Sequence, residues 1–172
     1  MKYENMRYAG IMENDMSAAP GVCVTFFAQG CPHHCKGCHN PETWDFKGGQ
    51  PFSDTTIQQV ISAISANNVQ RNLCIMGGEP LCPENIDMIN ILIYKIRLKY
   101  PNIKIYIWTG YTYDELIERV NDEISLDTIL NLSDFIIDGK YEESKRDITL
   151  KMRGSTNQTI IELKDGRLWK IH

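Results

Sequence analysis

The chain has 172 residues, 42% of them apolar, and a formal charge of −4 from 18 basic and 22 acidic side chains. That is enough apolar sequence to build one domain, residues 1–172, around a single core, and too much for a disordered chain. No basic block marks a nucleic-acid partner, and the longest apolar-rich run, Ile86 to Leu98, is too short and too interrupted (Asn90, Lys95, Arg97) to cross a bilayer.

The opening Met1–Lys2–Tyr3–Glu4 is polar where a secretory signal would have an apolar core, so a cytosolic location is expected. Val22 to Phe27 is β-branched and aromatic, the pattern of a buried strand, and Gly30 ends it before a cysteine-rich loop. A polar stretch, Lys47 to Pro51, leads to a helix opened by Ser53 or Asp54, with Ile57, Val60, Ile61 and Ile64 forming one apolar stripe. A second strand, Asn72 to Met76, is broken by Gly77–Gly78–Glu79–Pro80. Pro83 suits the first turn of the next helix, whose buried face is Ile86, Ile89, Ile93, Ile96 and Tyr100 and which Pro101 stops.

A third strand, Ile103 to Trp108, ends in Thr109–Gly110. Thr112–Tyr113–Asp114–Glu115 is a capping box that opens a helix through about Val120. A fourth strand, Asp134 to Ile137, ends in Asp138–Gly139–Lys140. The tail, Thr159 to Leu163 and Arg167 to Ile171 around Lys164–Asp165–Gly166, has the pattern of a closing β-hairpin. Repeated strand–helix units predict an α/β fold with a parallel sheet and right-handed crossovers. Four units are too few for a closed eight-stranded barrel, so an open, partial TIM-type barrel is expected, with the hairpin at its end. The unusual loops then all fall at the carboxyl edge of the strands, where such sheets place their ligands.

Of six cysteines, three lie in the spacing Cys31-x3-Cys35-x2-Cys38. In a reducing compartment such a group indicates metal or redox chemistry rather than a disulfide scaffold. Thiolates favour zinc or iron–sulfur clusters. Zinc would need a fourth ligand, for which only His33, His34 and His39 are near, and an ordinary ferredoxin cluster also takes four cysteines. Three ligands on a four-iron cube leave one iron open; spacing alone keeps zinc and a four-ligand cluster as alternatives. Cys23 and Cys74 sit in apolar runs and are expected to be small core residues.

The cysteine motif followed by Gly77–Gly78–Glu79–Pro80 resembles the radical S-adenosylmethionine superfamily. Longer stretches carry a closer resemblance: Gly30 to Asn40 with Thr43–Trp44, Gly49–Gln50–Pro51–Phe52, Trp108–Thr109–Gly110–Tyr111, Asp138–Gly139–Lys140 and Arg153 to Gln158. Together, from about Tyr8 to Ile160, they are similar to the activase family of the anaerobic (class III) ribonucleotide reductases.

The resemblance implies a [4Fe–4S] cluster on Cys31, Cys35 and Cys38, whose open iron chelates S-adenosyl-L-methionine. Reductive cleavage then yields a 5′-deoxyadenosyl radical, which takes a hydrogen atom from a glycine of the reductase. Gly37, Cys38 and His39 are expected beside the adenine, and Gly77, Gly78 and Glu79 at the methionine end through their backbone amides. Thr109 and Asp138 are expected to face the same pocket. Lys140 and Arg153 are either contacts to substrate or cofactor or plain surface charge; Trp108 and Tyr111 are either site or core. No catalytic side chain beyond cluster and cofactor is implied. Many superfamily members carry an aromatic residue where Gly37 stands, whereas glycine fits the activase family. The implied partners are the glycyl radical subunit of the anaerobic ribonucleoside-triphosphate reductase and a flavodoxin- or ferredoxin-type electron donor. Alternatives are an activase of another glycyl radical enzyme, a small-molecule radical enzyme of the pterin or deazapurine type, and a non-catalytic electron-transfer or zinc module.

Overall fold

The computed structural model describes residues 3–172; Met1 and Lys2, which open the stretch examined for a signal sequence, lie outside the described residues. Among the described residues eight strands form one mixed sheet: β1 (Arg7–Asp15), β2 (Cys23–Ala28), β3 (Gln50–Pro51), β4 (Asn72–Gly77), β5 (Ile105–Trp108), β6 (Phe135–Asp138), β7 (Thr159–Lys164) and β8 (Arg167–Ile171). Their order across the sheet is β3-β1-β2-β4-β5-β6-β7-β8. The helices are α1 (Asp54–Ile64), α2 (Ile86–Lys99), α3 (Tyr113–Arg119) and α4 (Ile124–Leu132).

The four strands expected to be parallel are parallel: β2 to β4, β4 to β5 and β5 to β6. The expectation of parallel strands is too narrow for the whole sheet. One edge is extended by β1 and β3, the other by β7 and β8, and all of these pair antiparallel. β7 and β8 are joined at Asp165–Gly166, both at positive φ, which is the tight turn the Asp-Gly pair predicts. β1 escapes sequence reading because it never alternates cleanly between buried and exposed, and its register against β2 slips twice.

The helices begin where side chains can satisfy their free amides. Ser53 accepts from Thr56 N–H and opens α1. Thr112 accepts from Glu115 N–H while Glu115 accepts from Thr112 N–H, closing the expected box at α3. Thr112→Ala is expected to cost about 1 kcal/mol, read as a lower urea midpoint with unchanged slope. Pro83 lies just ahead of α2, which starts at Ile86, inside a turn closed by Ile86 N–H on Cys82 O. α4 was not anticipated, although Leu126, Ile129 and Leu130 carry its buried stripe.

The sheet has two differently covered faces. One presents Val24, Phe26, Leu73, Ile75, Ile105, Ile107 and Ile136 to the helices, which answer with Ile57, Val60, Ile64, Ile89, Ile93, Ile96, Ile129 and Leu130. Each such side chain, removed from water, contributes about 1.5–3 kcal/mol. Tyr100, expected on the buried face of α2, packs half-buried against the core at the end of that helix and donates its hydroxyl to Ile61 O, tying α2 to α1. The opposite face carries a smaller cluster of Cys23, Cys74, Tyr106 and Ile137 with Ala19, joined by Trp108, Phe135 and Met152.

Cys23 and Cys74 are fully buried in that second cluster, as core residues should be. The neighbouring Cys23 thiol and burial both push the Cys74 thiol far above the usual range, so it stays protonated. Burial does the same to Cys82. No helix among the described residues is long and apolar enough to cross a membrane.

Candidate functional site

Because β2, β4, β5 and β6 run parallel, their carboxyl ends share one edge. Ala28 stands opposite Gly77 and Trp108 opposite Ile137, so the loops that follow emerge side by side. Between them lies a cavity of ≈ 700 Å³. Its wall includes Cys31, Cys35 and Cys38, together with Gly37, His39, Gly77, Gly78, Glu79 and Thr109. These expected site residues are thus brought together from three loops.

The cysteine loop is anchored at its root. Gly30 N–H donates to Thr43 O at 2.7 Å and Cys31 N–H to Trp44 O at 3.1 Å, while Cys38 N–H closes a turn onto Cys35 O. All three thiols remain partly exposed, unlike those of Cys23, Cys74 and Cys82. Burial raises the Cys31 thiol, and the amides of His33 and His34 beside the sulfur pull it back. Burial and the adjacent Cys38 raise Cys35, against the Tyr141 amide and the Lys140 ammonium. Gly37 is at φ +75°, a conformation that selects glycine, while the nearest atom a Cβ would meet, Glu143 Oε1 at 2.9 Å, is the end of a flexible side chain.

The glycine turn is bound to the cysteine loop, in the opposite sense to that expected. Gly78 N–H donates to Ala28 O at 2.9 Å and Glu79 N–H to Gly30 O at 2.8 Å, so these two amides point into the protein rather than at a ligand. A Cβ on Gly78 would lie 2.3 Å from Gly30 O. Gly78→Ala is therefore expected to force the turn off the cysteine loop and lower stability by about 1–3 kcal/mol in urea titration. Gly10→Ala, where an added Cβ meets nothing within 4 Å, is the control and should leave that midpoint unmoved.

The Glu79 carboxylate is buried and fully occupied. It accepts from Leu81 N–H, the Thr109 hydroxyl, Gly110 N–H and His33 Nε2, at 2.9, 2.7, 2.7 and 2.9 Å. Asp138 is not among the residues lining the cavity; its two oxygens accept from Tyr113 N–H and Thr159 N–H. Trp108 lines the cavity and donates to Met152 O, whereas Tyr111 packs edge-on against His33. Lys140 and Arg153 both line it.

Residues 141–154 supply much of the remaining wall, through Tyr141, Glu143, Arg146, Ile148, Leu150 and Met152, and sequence reading did not anticipate them. The Arg153–Gln158 stretch shows why they hold their place. Gln158 Oε1 accepts from Gly154 N–H and Ser155 N–H, and its Nε2 donates to Gly139 O, locking the return of this loop onto the end of β6. Ser17, Ala18 and Trp44 complete the wall.

Among the described residues no three His, Cys, Asp or Glu side chains stand close enough to share a single metal ion. A four-iron cube spreads its thiolates wider than one zinc ion does, and three partly exposed thiols on one cavity suit it. The wall also carries unmet donors: Trp44 Nε1–H and Arg153 Nε–H are buried without an acceptor. Unpaired buried N–H groups are costly, and both residues contribute to the cavity wall. The residues present therefore fit an iron–sulfur cluster with one open position.

Three thiols at the carboxyl edge of an α/β sheet, beside a glycine turn, define a single-cluster iron–sulfur protein. A family model described as "4Fe-4S single cluster domain" matches residues 18–161. The chain is 34% identical over 160 residues to the anaerobic ribonucleoside-triphosphate reductase-activating protein of Escherichia coli (strain K12), covering 92% of this chain and 100% of that one. It is 36% identical over 166 residues to the protein of that name from Enterobacteria phage T4, covering 96% and 99%. The Haemophilus influenzae counterpart is 34% identical, with coverage of 92% and 99%. The chain belongs to the family of anaerobic ribonucleoside-triphosphate reductase-activating proteins.

Proposed function

We propose that this chain activates an anaerobic ribonucleoside-triphosphate reductase by generating a glycyl radical on it. The observation that carries the reading is the convergence of Cys31, Cys35, Cys38 and the Gly77–Glu79 turn on one cavity, in a chain aligned with the activating proteins over nearly its whole length. When bound, a [4Fe–4S] cluster with S-adenosyl-L-methionine would supply reductive C–S cleavage and the hydrogen abstraction from a glycine Cα that it drives.

The protein's residues position and enclose. Cys31, Cys35 and Cys38 would hold the cluster. With the Gly78 and Glu79 amides turned inward and Glu79 O taken by Asn85 Nδ2, the Gly78 carbonyl would be the one offered to the cofactor's ammonium. Arg153, which lines the cavity, would face its carboxylate, and Gly37 and His39 would border the adenine. Thr109 acts through Glu79, and Asp138 by holding the ends of β6 and α3. The four parallel strands form the partial, open TIM-type barrel of a single domain spanning 1–172, with the β7–β8 hairpin closing the sheet. The partner is the glycyl radical subunit of the reductase, the electron donor is a flavodoxin- or ferredoxin-type protein, and the compartment is the cytosol.

The test mixes the anaerobically reconstituted, reduced protein with S-adenosyl-L-methionine and the reductase, and looks for the glycyl doublet by electron paramagnetic resonance. A doublet that needs all three components is expected. A loaded, reduced protein that cleaves the cofactor yet never yields the doublet would favour a small-molecule substrate.

A further inference from the structure

His33 lies between the ligands Cys31 and Cys35, where a histidine is naturally suspected of binding metal. The structure gives its imidazole other employment. Nε2 meets Glu79 Oε2 at 2.9 Å, and the two side chains are only 8% and 1% exposed. A carboxylate offers only lone pairs, so this bond requires the proton on Nε2. The ring also stands edge-on to Tyr111, with centroids 4.7 Å apart, and Tyr111 lies under the Arg119 guanidinium. Glu79 simultaneously accepts from Thr109 and Gly110 at the end of β5. One buried carboxylate thus ties the cysteine loop to the turns after β4 and β5.

The consequence for the cluster runs through the loop. Its root is tied by Gly30 N–H to Thr43 O and Cys31 N–H to Trp44 O, and between the first two thiols His33 pins it to the buried carboxylate. The hydrogen bonding and exposure of a cluster's surroundings set its potential. We propose that His33 is a positioning residue, not a ligand: its bond to Glu79 holds the cysteine loop against the turns after β4 and β5 and so fixes the cluster's surroundings and its potential. The inference rests on the functional reading above, in that it takes the cluster to be on Cys31, Cys35 and Cys38.

The experiment uses the full-length, anaerobically reconstituted protein without S-adenosyl-L-methionine or reductase. Iron and sulfide are counted, and the midpoint potential and g-values of the reduced cluster are measured by redox-poised electron paramagnetic resonance. His33→Ala is compared with His33→Gln, whose amide N–H sits near the position of Nε2 and can still donate to Glu79. The expected result is a shifted midpoint potential and shifted g-values in His33→Ala, with both returning toward wild type in His33→Gln. Should His33→Ala retain little iron, recovery of cluster content in His33→Gln supports the same conclusion. A loaded His33→Ala protein with wild-type potential and g-values would overturn it, as would a His33→Gln protein no closer to wild type than His33→Ala. A wild-type protein that assembles no four-iron cluster would overturn the functional reading and this inference together, which separates the two failures.

Discussion

Alanine at Cys31, Cys35 or Cys38 is expected to abolish cleavage of S-adenosyl-L-methionine, with 5′-deoxyadenosine below detection after anaerobic reconstitution. Each substitution removes one of three thiolates, and no other thiol can take its place. Cys23 and Cys74 are fully buried on the far side of the sheet from the helices, and Cys82 is sealed beneath the glycine turn with its thiol pushed up by burial. The loop thiols, by contrast, are partly exposed to one cavity. Cys23→Ala and Cys74→Ala should keep cleavage activity and lose stability alone, by about 1 kcal/mol in urea titration. Iron content per chain should follow the same division. An essential Cys74 beside a dispensable Cys35 would mean that the ligands have been misassigned.

The second large effect concerns what closes the site. A primary carbon radical must be kept from water and from stray hydrogen donors. This cavity opens to solvent, and its rim includes Ile148, an isoleucine that is 84% exposed. Among the described residues the 141–154 segment borders the cavity but is tied down by Gln158 and by the Trp108–Met152 hydrogen bond, so it does not serve as a free lid. The substrate protein is therefore expected to complete the enclosure, its glycine segment entering the opening until the Cα approaches the 5′-carbon at roughly 3–3.5 Å. Formation of 5′-deoxyadenosine should be fast with intact reductase. It should fall roughly 10²-fold for the activating protein alone, or with reductase truncated before its glycine segment. Equal, fast turnover in all three mixtures would argue for a small substrate that the cavity encloses unaided.

What could be read along the chain was local. The capping box at Thr112, the Asp165–Gly166 turn and the apolar stripes of α1 and α2 each depend on residues within a few positions of one another. The same holds for the cysteine spacing and the glycine turn. Elements whose definition lies elsewhere were missed or bent. β1 is a strand because β2 and β3 pair with it, and not because its own pattern demands one. Asp138 looked like a ligand residue at a strand end, and its direction was settled by Tyr113 N–H and Thr159 N–H, amides 25 and 21 residues away.

By itself, then, the sequence singled out the three loop cysteines as candidate ligands and determined the order of the parallel strands' loops and the edge on which they gather, because cysteine spacing and strand–helix alternation are short-range properties. The tertiary structure decided polarity and enclosure. It turned the Gly78 and Glu79 amides inward onto Ala28 O and Gly30 O, occupied Glu79 with His33, Thr109 and Gly110, and brought residues 141–154 across to wall the cavity. Those outcomes follow from the requirement that buried polar groups find partners, and the partners come from whatever segments the sheet places alongside, however distant in the chain.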